Sequence, residues 1–309
     1  MTMTIDRRGV LKGFLGVGIG IVAGGASHGF AYERHHLELT KARFPVSGLP
    51  EALRGLRVGV LTDVHRSRFI SHEMVASAVR MLMAESPDII LLGGDYVSFG
   101  DRRYVHPAAE ALAPLSAPHG VIAVLGNHDD DREMPAALTA KGFTVLKDAR
   151  TRLTIRGEPV DFAGIRFWTY KSIDIAHVLR DARTRLTIRG ETVDFAGIRF
   201  WTYRPIDVAH VLRGAQPLTF LLAHTPKRLL EAQQLAIPAV ISGHTHGGQI
   251  VLPGVGAIAA REFPVVAGIA QRQSTSIFVS RGVGTVYVPV RINCPPEVAV
   301  LTLEPVLKT

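Results

Sequence analysis

Apolar residues along this chain gather in continuous runs of three to five, and five of those runs stop at a residue able to hold a metal ion. Val58–Leu61 leads into Thr62–Asp63–Val64–His65, and Ile89–Leu92 into Gly93–Gly94–Asp95. Val121–Leu125 leads into Gly126–Asn127–His128–Asp129, Thr219–Leu222 into Ala223–His224, and Ala239–Ile241 into Ser242–Gly243–His244–Thr245–His246. Runs that are apolar at consecutive positions predict strands covered on both faces. Between the first two, Met74, Val75, Ala78 and Leu82 recur at helical spacing and the pattern stops before Pro87, which predicts a helix over Ser71–Glu85. Tyr32–Leu56 predicts a lead-in with an edge strand at Leu37–Leu39 and turns at Pro45, Gly48 and Pro50. Strands alternating with helices predict an α/β architecture, in which ligands bind outside the carboxyl ends of the strands. The five run ends therefore form one candidate rim.

Composition changes this picture little. With 309 residues and 47% hydrophobic content the chain can bury a sizeable core. Cys294 is the only cysteine, which excludes an intramolecular disulfide and cysteine-based zinc sites. The formal charge is +8, of which residues 1–31 contribute +2 through Arg7, Arg8 and Lys12 against Asp6. A moderately basic body suits anionic substrates or an anionic lipid surface, and nothing in the residues specifically indicates nucleic acid.

The amino-terminal residues 1–31 stand apart from the body, 32–309. Arg7–Arg8 precedes a Gly-rich apolar stretch from Gly13 to Ala26, shorter than the ~20 residues that span a bilayer. Small residues follow at Gly29 and Ala31. This reads as an export signal. It resembles a twin-arginine signal, although Asp6 and Val10 depart from the usual residues. The expectation is recognition by twin-arginine export machinery and residence in the periplasm or at the outer face of the cytoplasmic membrane. Gly16, Gly18 and Gly20 do not make a dinucleotide loop, because no strand precedes them and no acidic residue follows at the required interval.

The run ends carry the candidate chemistry. On extended backbone residues i and i+2 project to one side, so His244 with His246, and Asp63 with His65, are each placed to reach one small volume. Carboxylates and imidazoles together suit Zn, Mn or Fe better than Ca.

In order, Asp63–Val64–His65, Gly94–Asp95, Gly126–Asn127–His128–Asp129, His224 and Gly243–His244–Thr245–His246 resemble the motif set of calcineurin-like metallophosphoesterases. Gly94–Asp95–Tyr96–Val97, Gly243–Ile250 and Arg291–Glu297 look most like the exported YkuE/YaeI-type branch. The resemblance covers roughly residues 35 to 305 and implies a four-layer α/β/β/α sandwich with two mixed sheets. It implies two divalent metal ions, one held by Asp63, His65, Asp95 and His246. The other would be held by Asp95, Asn127, His224 and His244, with Asp95 bridging. It implies hydrolysis of a phosphomonoester or phosphodiester by metal-bound hydroxide. His128 is then the candidate acid for the leaving oxygen, oriented by Asp129. Two rivals are a nucleotide-linked lipid pyrophosphatase and a non-catalytic metal-binding module disabled by the feature described next.

Residues 148–180 recur almost unchanged as 181–213, differing only at Pro159/Thr192, Lys171/Arg204, Ser172/Pro205 and Ile175/Val208. Each copy predicts a strand, a Gly–Glu turn, a second strand and a short helix (from Asp174 in the first). Two copies are too few for a solenoid. A tandem duplication that inserts an additional hairpin between the third and fourth ligand strands is the reading. Neither copy supplies a motif residue.

Overall fold

The computed structural model describes residues 24–146, 149–155, 158–164, 184–188, 191–198 and 218–306. Its first sheet is built from β1 (Glu38–Val46), β2 (Arg57–Leu61), β3 (Ile89–Leu92), β4 (Val121–Ala123), β5 (Thr144–Val145) and the last strand, Glu297–Pro305. Between these lie β6 (Ala149–Ile155), β7 (Glu158–Gly164), β8 (Thr184–Ile188), β9 (Glu191–Ile198), β10 (Thr219–Ala223) and β11 (Ala239–Ser242). Two short strands, β12 (Val251–Leu252) and β13 (Gly256–Ala257), precede β14 (Gly268–Arg272) and β15 (Thr275–Val279), which makes the last strand β16.

Sheet one runs β1-β16-β2-β3-β4-β5, with β16 antiparallel to β2 and its other pairs parallel. Sheet two runs β14-β15-β11-β10-β9-β8-β7-β6, parallel from β15 to β9 and antiparallel outside that range. Both sheets are mixed. Helices α1 (His72–Met83), α2 (Val105–Leu112) and α3 (Glu133–Thr139) cover one face of sheet one, and α4 (Leu229–Gln234) covers the far face of sheet two.

Strand pleating explains why the runs are continuously apolar. Ile90 and Leu92 join Val75, Ala78 and Leu82 in the core beneath the helices. Their neighbours Ile89 and Leu91 turn the other way and meet Phe220, Leu222, Ile241 and Phe278 between the sheets. Leu221, Val240 and Ile277 continue outward to Leu229 and Ala232 under α4. Every residue of such a strand faces a layer, and the layers are α/β/β/α.

The expected helix after Ser71 is present, with the Ser71 hydroxyl accepting from the Met74 N–H at 3.1 Å as an N-cap. The third run ends as strand two residues early, at Ala123. The edge strand is longer than expected, Glu38–Val46 rather than Leu37–Leu39, because β16 offers it nine consecutive parallel partners.

The duplicated copies take unequal places. The second copy's β9 pairs in parallel with β10 through Thr219↔Asp194 to Ala223↔Ile198, so this copy occupies the position inside the sheet. The first copy, β6 and β7, extends the sheet edge and meets β8 through one registered pair, Asp161↔Arg185. The expected helix of each copy lies outside the described residues, as does most of the leader. An added edge hairpin orders more chain and leaves a strand edge open. Deleting 181–213 leaves one copy to take the inner position, and should raise the thermal midpoint by about 2–4 °C with hydrolysis intact. An unchanged midpoint would show that the additional hairpin costs the fold nothing, and a lower one that it stabilises it.

Residues 24–31 are helical and rest on the loop after β15. The Arg291 N–H donates to the Gly29 carbonyl at 3.2 Å, and the Cys294 N–H donates to the Glu33 carboxylate at 2.6 Å. No helix among the described residues is long and apolar enough to cross a membrane.

Candidate metal centre

The carboxyl ends of β2, β3 and β4 in one sheet and of β10 and β11 in the other open onto a single cleft. Hydrogen bonds between the two rims fix their separation. The His244 N–H donates to the Asp63 carboxylate at 3.0 Å. From the same side, the Val283 and Gly284 N–H groups donate to the Thr62 and Asp63 carbonyls. Loop 63–66 also runs along loop 94–96, with the Asp63, His65 and Arg66 N–H groups on the Gly94, Asp95 and Tyr96 carbonyls.

All seven expected ligands reach this cleft region, six of them in two adjoining groups. Asp63, His65 and His246 offer ligand atoms mutually within 4.8 Å, and so do Asp95, His224 and His244. Asn127 lines the same cavity of about 560 Å³ as Asp95, His244 and His246. One Asp95 oxygen links the groups, 3.1 Å from His224 Nε2 and 3.5 Å from His65 Nε2. His65 Nε2 and His246 Nε2 approach to 3.1 Å, and His246 Nε2 lies 3.5 Å from an Asp63 oxygen.

The route to this convergence differs from strand alternation. Asp63, His65, Asp95, His244 and His246 all have positive φ, between 47° and 70°, a region non-glycine residues rarely occupy. The strands stop at Leu61, Leu92 and Ser242, and the ligands sit in left-handed turns beyond them. Extended backbone would have sent His244 and His246 into one volume. The turn instead sends His246 to Asp63 and His65, and His244 to Asp95 and His224. Five strained residues at one spot are sustained by the surrounding packing. Gly126 is part of that packing, since a Cβ there would run into the Asp95 carboxylate.

Outer partners set the imidazoles. His224 donates from Nδ1 to the Gly93 carbonyl at 2.7 Å, which leaves Nε2 to face Asp95. Ser98, absent from the sequence-based set, meets His65 Nδ1 at 3.1 Å. Arg291 is fully buried and donates to the Gly282, Gly284 and Cys294 carbonyls, tying together the loops behind His246. It had been visible only as part of the Arg291–Glu297 run.

Asp129 does not orient His128, which corrects the expectation. Its two oxygens accept from the Asp95, Tyr96 and Gly126 N–H groups at 2.7–2.8 Å. A buried carboxylate lying among backbone donors is spent on holding the two loops together, and its hydrogen bonds go to backbone rather than to the imidazole. His128 is held by another group: the Phe99 N–H donates to its Nδ1 at 3.0 Å. The neutral ring therefore carries its proton on Nε2.

Burial lowers His65 and His244 to about 3 and His246 well below its ordinary value, so these three are neutral and ready to ligate. Burial also opposes charge on His224, but the Asp95 and Asp63 carboxylates outweigh it and raise that ring to about 9. Burial drives Asp63 up to about 6 and, with the Asp95 charge, Asp129 up to about 7. Burial opposes charge on Asp95 too, yet the neighbouring imidazoles hold it well below the carboxylate range.

The donor set fits divalent transition metals. The Asn127 side-chain oxygen is buried without a hydrogen-bond donor among the described residues, and His246 Nδ1 is likewise without a partner. An orphaned amide oxygen beside four imidazole nitrogens and two carboxylates is accounted for by a cation. Because ligation requires neutral His224, metal uptake by stripped protein at pH 7 should release about one proton from that ring, with a smaller share from the raised Asp63 and Asp129 carboxyls. Release should fade above pH 9, where the ring is already neutral. Titrating zinc into stripped protein in weak buffer measures this, and absence of release at pH 7 would show that His224 is not held protonated.

A family model for calcineurin-like phosphoesterases matches residues 56–248, which contain all of the candidate ligands. The chain is 28% identical over 311 residues to the metallophosphoesterase YkuE of Bacillus subtilis, covering 97% of this chain and 98% of that one. It is 28% identical over 252 residues to the phosphodiesterase YaeI of Escherichia coli, covering 79% and 80%. Among solved structures, Haemophilus influenzae NAD nucleotidase aligns over 74% of this chain and 45% of that chain, at 13% identity and a TM-score of 0.42.

Proposed function

The chain belongs to the calcineurin-like phosphoesterase family, and from that premise we propose that it hydrolyses a phosphomonoester or phosphodiester by direct attack of water at a centre holding two divalent ions. The family makes the chain a metal-dependent phosphoester hydrolase; the number of ions, the direct attack and the ester class are the proposal. The observation that carries it is the meeting of two ligand groups through Asp95, with the buried Asn127 oxygen meeting no hydrogen-bond donor among the described residues. Asp63, His65, Asp95 and His246 would hold one ion, and Asp95, Asn127, His224 and His244 the other. Such ions supply Lewis acidity to a phosphoryl group and to the attacking water.

The chain's own residues do the rest. His65 and His224 are fixed by Ser98 and the Gly93 carbonyl, so their ring planes need no reordering when substrate arrives. His128, lowered by burial and kept neutral, presents Nε2–H as the donor available to the leaving oxygen. Asp129 holds the Asp95 and Gly126 loops in register, which places His128 beside the site.

Arg7–Arg8 before an apolar stretch supports export by the twin-arginine route, with action outside the cytoplasmic membrane. Purified protein should carry transition metal, and should cleave phosphate mono- or diesters in a chelator-sensitive manner. Metal-free protein that retains full turnover in chelator would end the proposal.

A further inference from the structure

Two large aromatic side chains stand at the mouth of the metal cleft, and neither serves the core. Phe99 is 64% exposed and Tyr287 is 79% exposed. Their rings approach each other at 5.6 Å between centroids, and Phe99 packs edge-on to His128 at 4.9 Å, with Tyr287 6.2 Å from the same imidazole. Single exposed aromatics are ordinary surface features. This pair differs in three respects.

Both residues are held in left-handed backbone, Phe99 at φ 56° and Tyr287 at φ 60°. For bulky side chains this costs about 1 kcal/mol or more each and is found where the surroundings enforce it. The enforcing groups are visible. Gln249, itself buried and part of the Gly243–Ile250 motif, donates from its side-chain nitrogen to the Val286 and Val288 carbonyls at 3.2 and 2.8 Å. Its side-chain oxygen accepts from the Val286 N–H at 2.9 Å. One amide thus braces the chain on both sides of Tyr287 and props the ring outward. Phe99 is braced by its N–H on His128 Nδ1, the same bond that sets the His128 tautomer.

The pair also stands between two cavities. Tyr287 lines the metal cleft with His128, Val288 and Phe263, and it lines a second cavity of about 570 Å³ with Phe99, Phe69 and Tyr104. A phosphoester whose leaving oxygen meets His128 brings its leaving group beside these two rings, which lie 4.9 and 6.2 Å from that imidazole.

We propose that Phe99 and Tyr287 form an aromatic clamp that seats a planar apolar leaving group, making esters of aryl-type alcohols better ligands than esters of small alkyl alcohols. This rests on the phosphoesterase reading of the site and adds the substrate class. Phe99 and Tyr287 determine specificity, and Gln249 is a positioning residue that acts through Tyr287. Offset or edge-on packing of a planar group against two rings favours it over a methyl group by about tenfold in affinity.

The test uses full-length protein reconstituted with manganese, and two non-hydrolysable probes, phenylphosphonate and methylphosphonate, titrated calorimetrically. The parent should bind phenylphosphonate about tenfold more tightly. Phe99→Ala keeps the N–H that holds His128, so this variant and Tyr287→Ala should bring the ratio close to one with manganese content unchanged. Tyr287→Phe should retain the preference, and Gln249→Ala should lose most of it. A parent that binds the two probes alike or binds neither, or alanine variants that keep the full preference, would overturn the clamp. Hydrolysis of phosphate esters, measured in parallel, decides the phosphoesterase reading separately. Clamp-dependent binding without turnover would sink that reading and spare the clamp, while turnover with no phenyl preference would do the reverse.

Discussion

Asp95→Asn should empty the metal centre and abolish hydrolysis in the same step. The substitution preserves shape and removes one charge, and the Asp95 carboxyl is the atom group shared by both ligand sets, within 3.5 Å of His65 Nε2 and His224 Nε2. It is buried at the base of the cleft. Breaking a buried charge pairing costs about 3–5 kcal/mol, on the order of 10²- to 10⁴-fold in metal affinity. Elemental analysis of the purified variant, beside turnover and circular dichroism, measures the outcome. Full metal content with normal folding would remove Asp95 as the link between the two groups. Retained turnover would go further and place the chemistry elsewhere.

His128→Ala should leave both ligand groups intact and still lower turnover. The ring contributes no atom to either group, and its Nδ1 is engaged by the Phe99 N–H, so Nε2–H is what it can offer a substrate. Loss of a positioned N–H donor to a leaving oxygen that develops charge lowers the rate by about 10²- to 10³-fold for an ester with a poor leaving group. Held neutral by the Phe99 N–H, the ring serves as that donor and not as the proton-transferring acid expected from its place after Asn127. A 4-nitrophenyl ester, whose leaving oxygen needs little help, should show a much smaller loss. That difference between substrates is the diagnostic, because a general disturbance of the site would depress both equally. Equal turnover in variant and parent on the poor leaving group would exclude His128 from the reaction. Asp129 belongs to a different experiment: its carboxylate accepts from four backbone N–H groups, of Asp95, Tyr96, Val97 and Gly126, so its loss should loosen the Asp95 and Asn127 loops before it alters His128.

These expectations were unequally legible in the residues. The seven candidate ligands could be named because each follows an apolar run, and a strand buried between two layers has to be apolar along its whole length. His128 was legible by adjacency to Asn127. Ser98, Phe99, Gln249 and Tyr287 were not named as functional, since each acts through a neighbour distant in sequence: Ser98 through His65, Phe99 through His128, Gln249 through Val286 and Val288. Strands β15 and β16 also went unremarked. Neither ends on a ligand, so nothing in their local pattern called attention to them.

By itself, the order of residues determined the fold class, the candidate ligands and the presence of a repeated hairpin, because periodicity and residue chemistry are local properties. Tertiary structure alone decided which repeat lies against β10, that Asp129 serves the backbone, and that His244 and His246 part company into adjoining groups. Each of those outcomes depends on which atoms of remote segments come within hydrogen-bonding reach. That proximity is set by the packing of the two sheets and by left-handed turns the surrounding structure enforces, and no short window of sequence contains it.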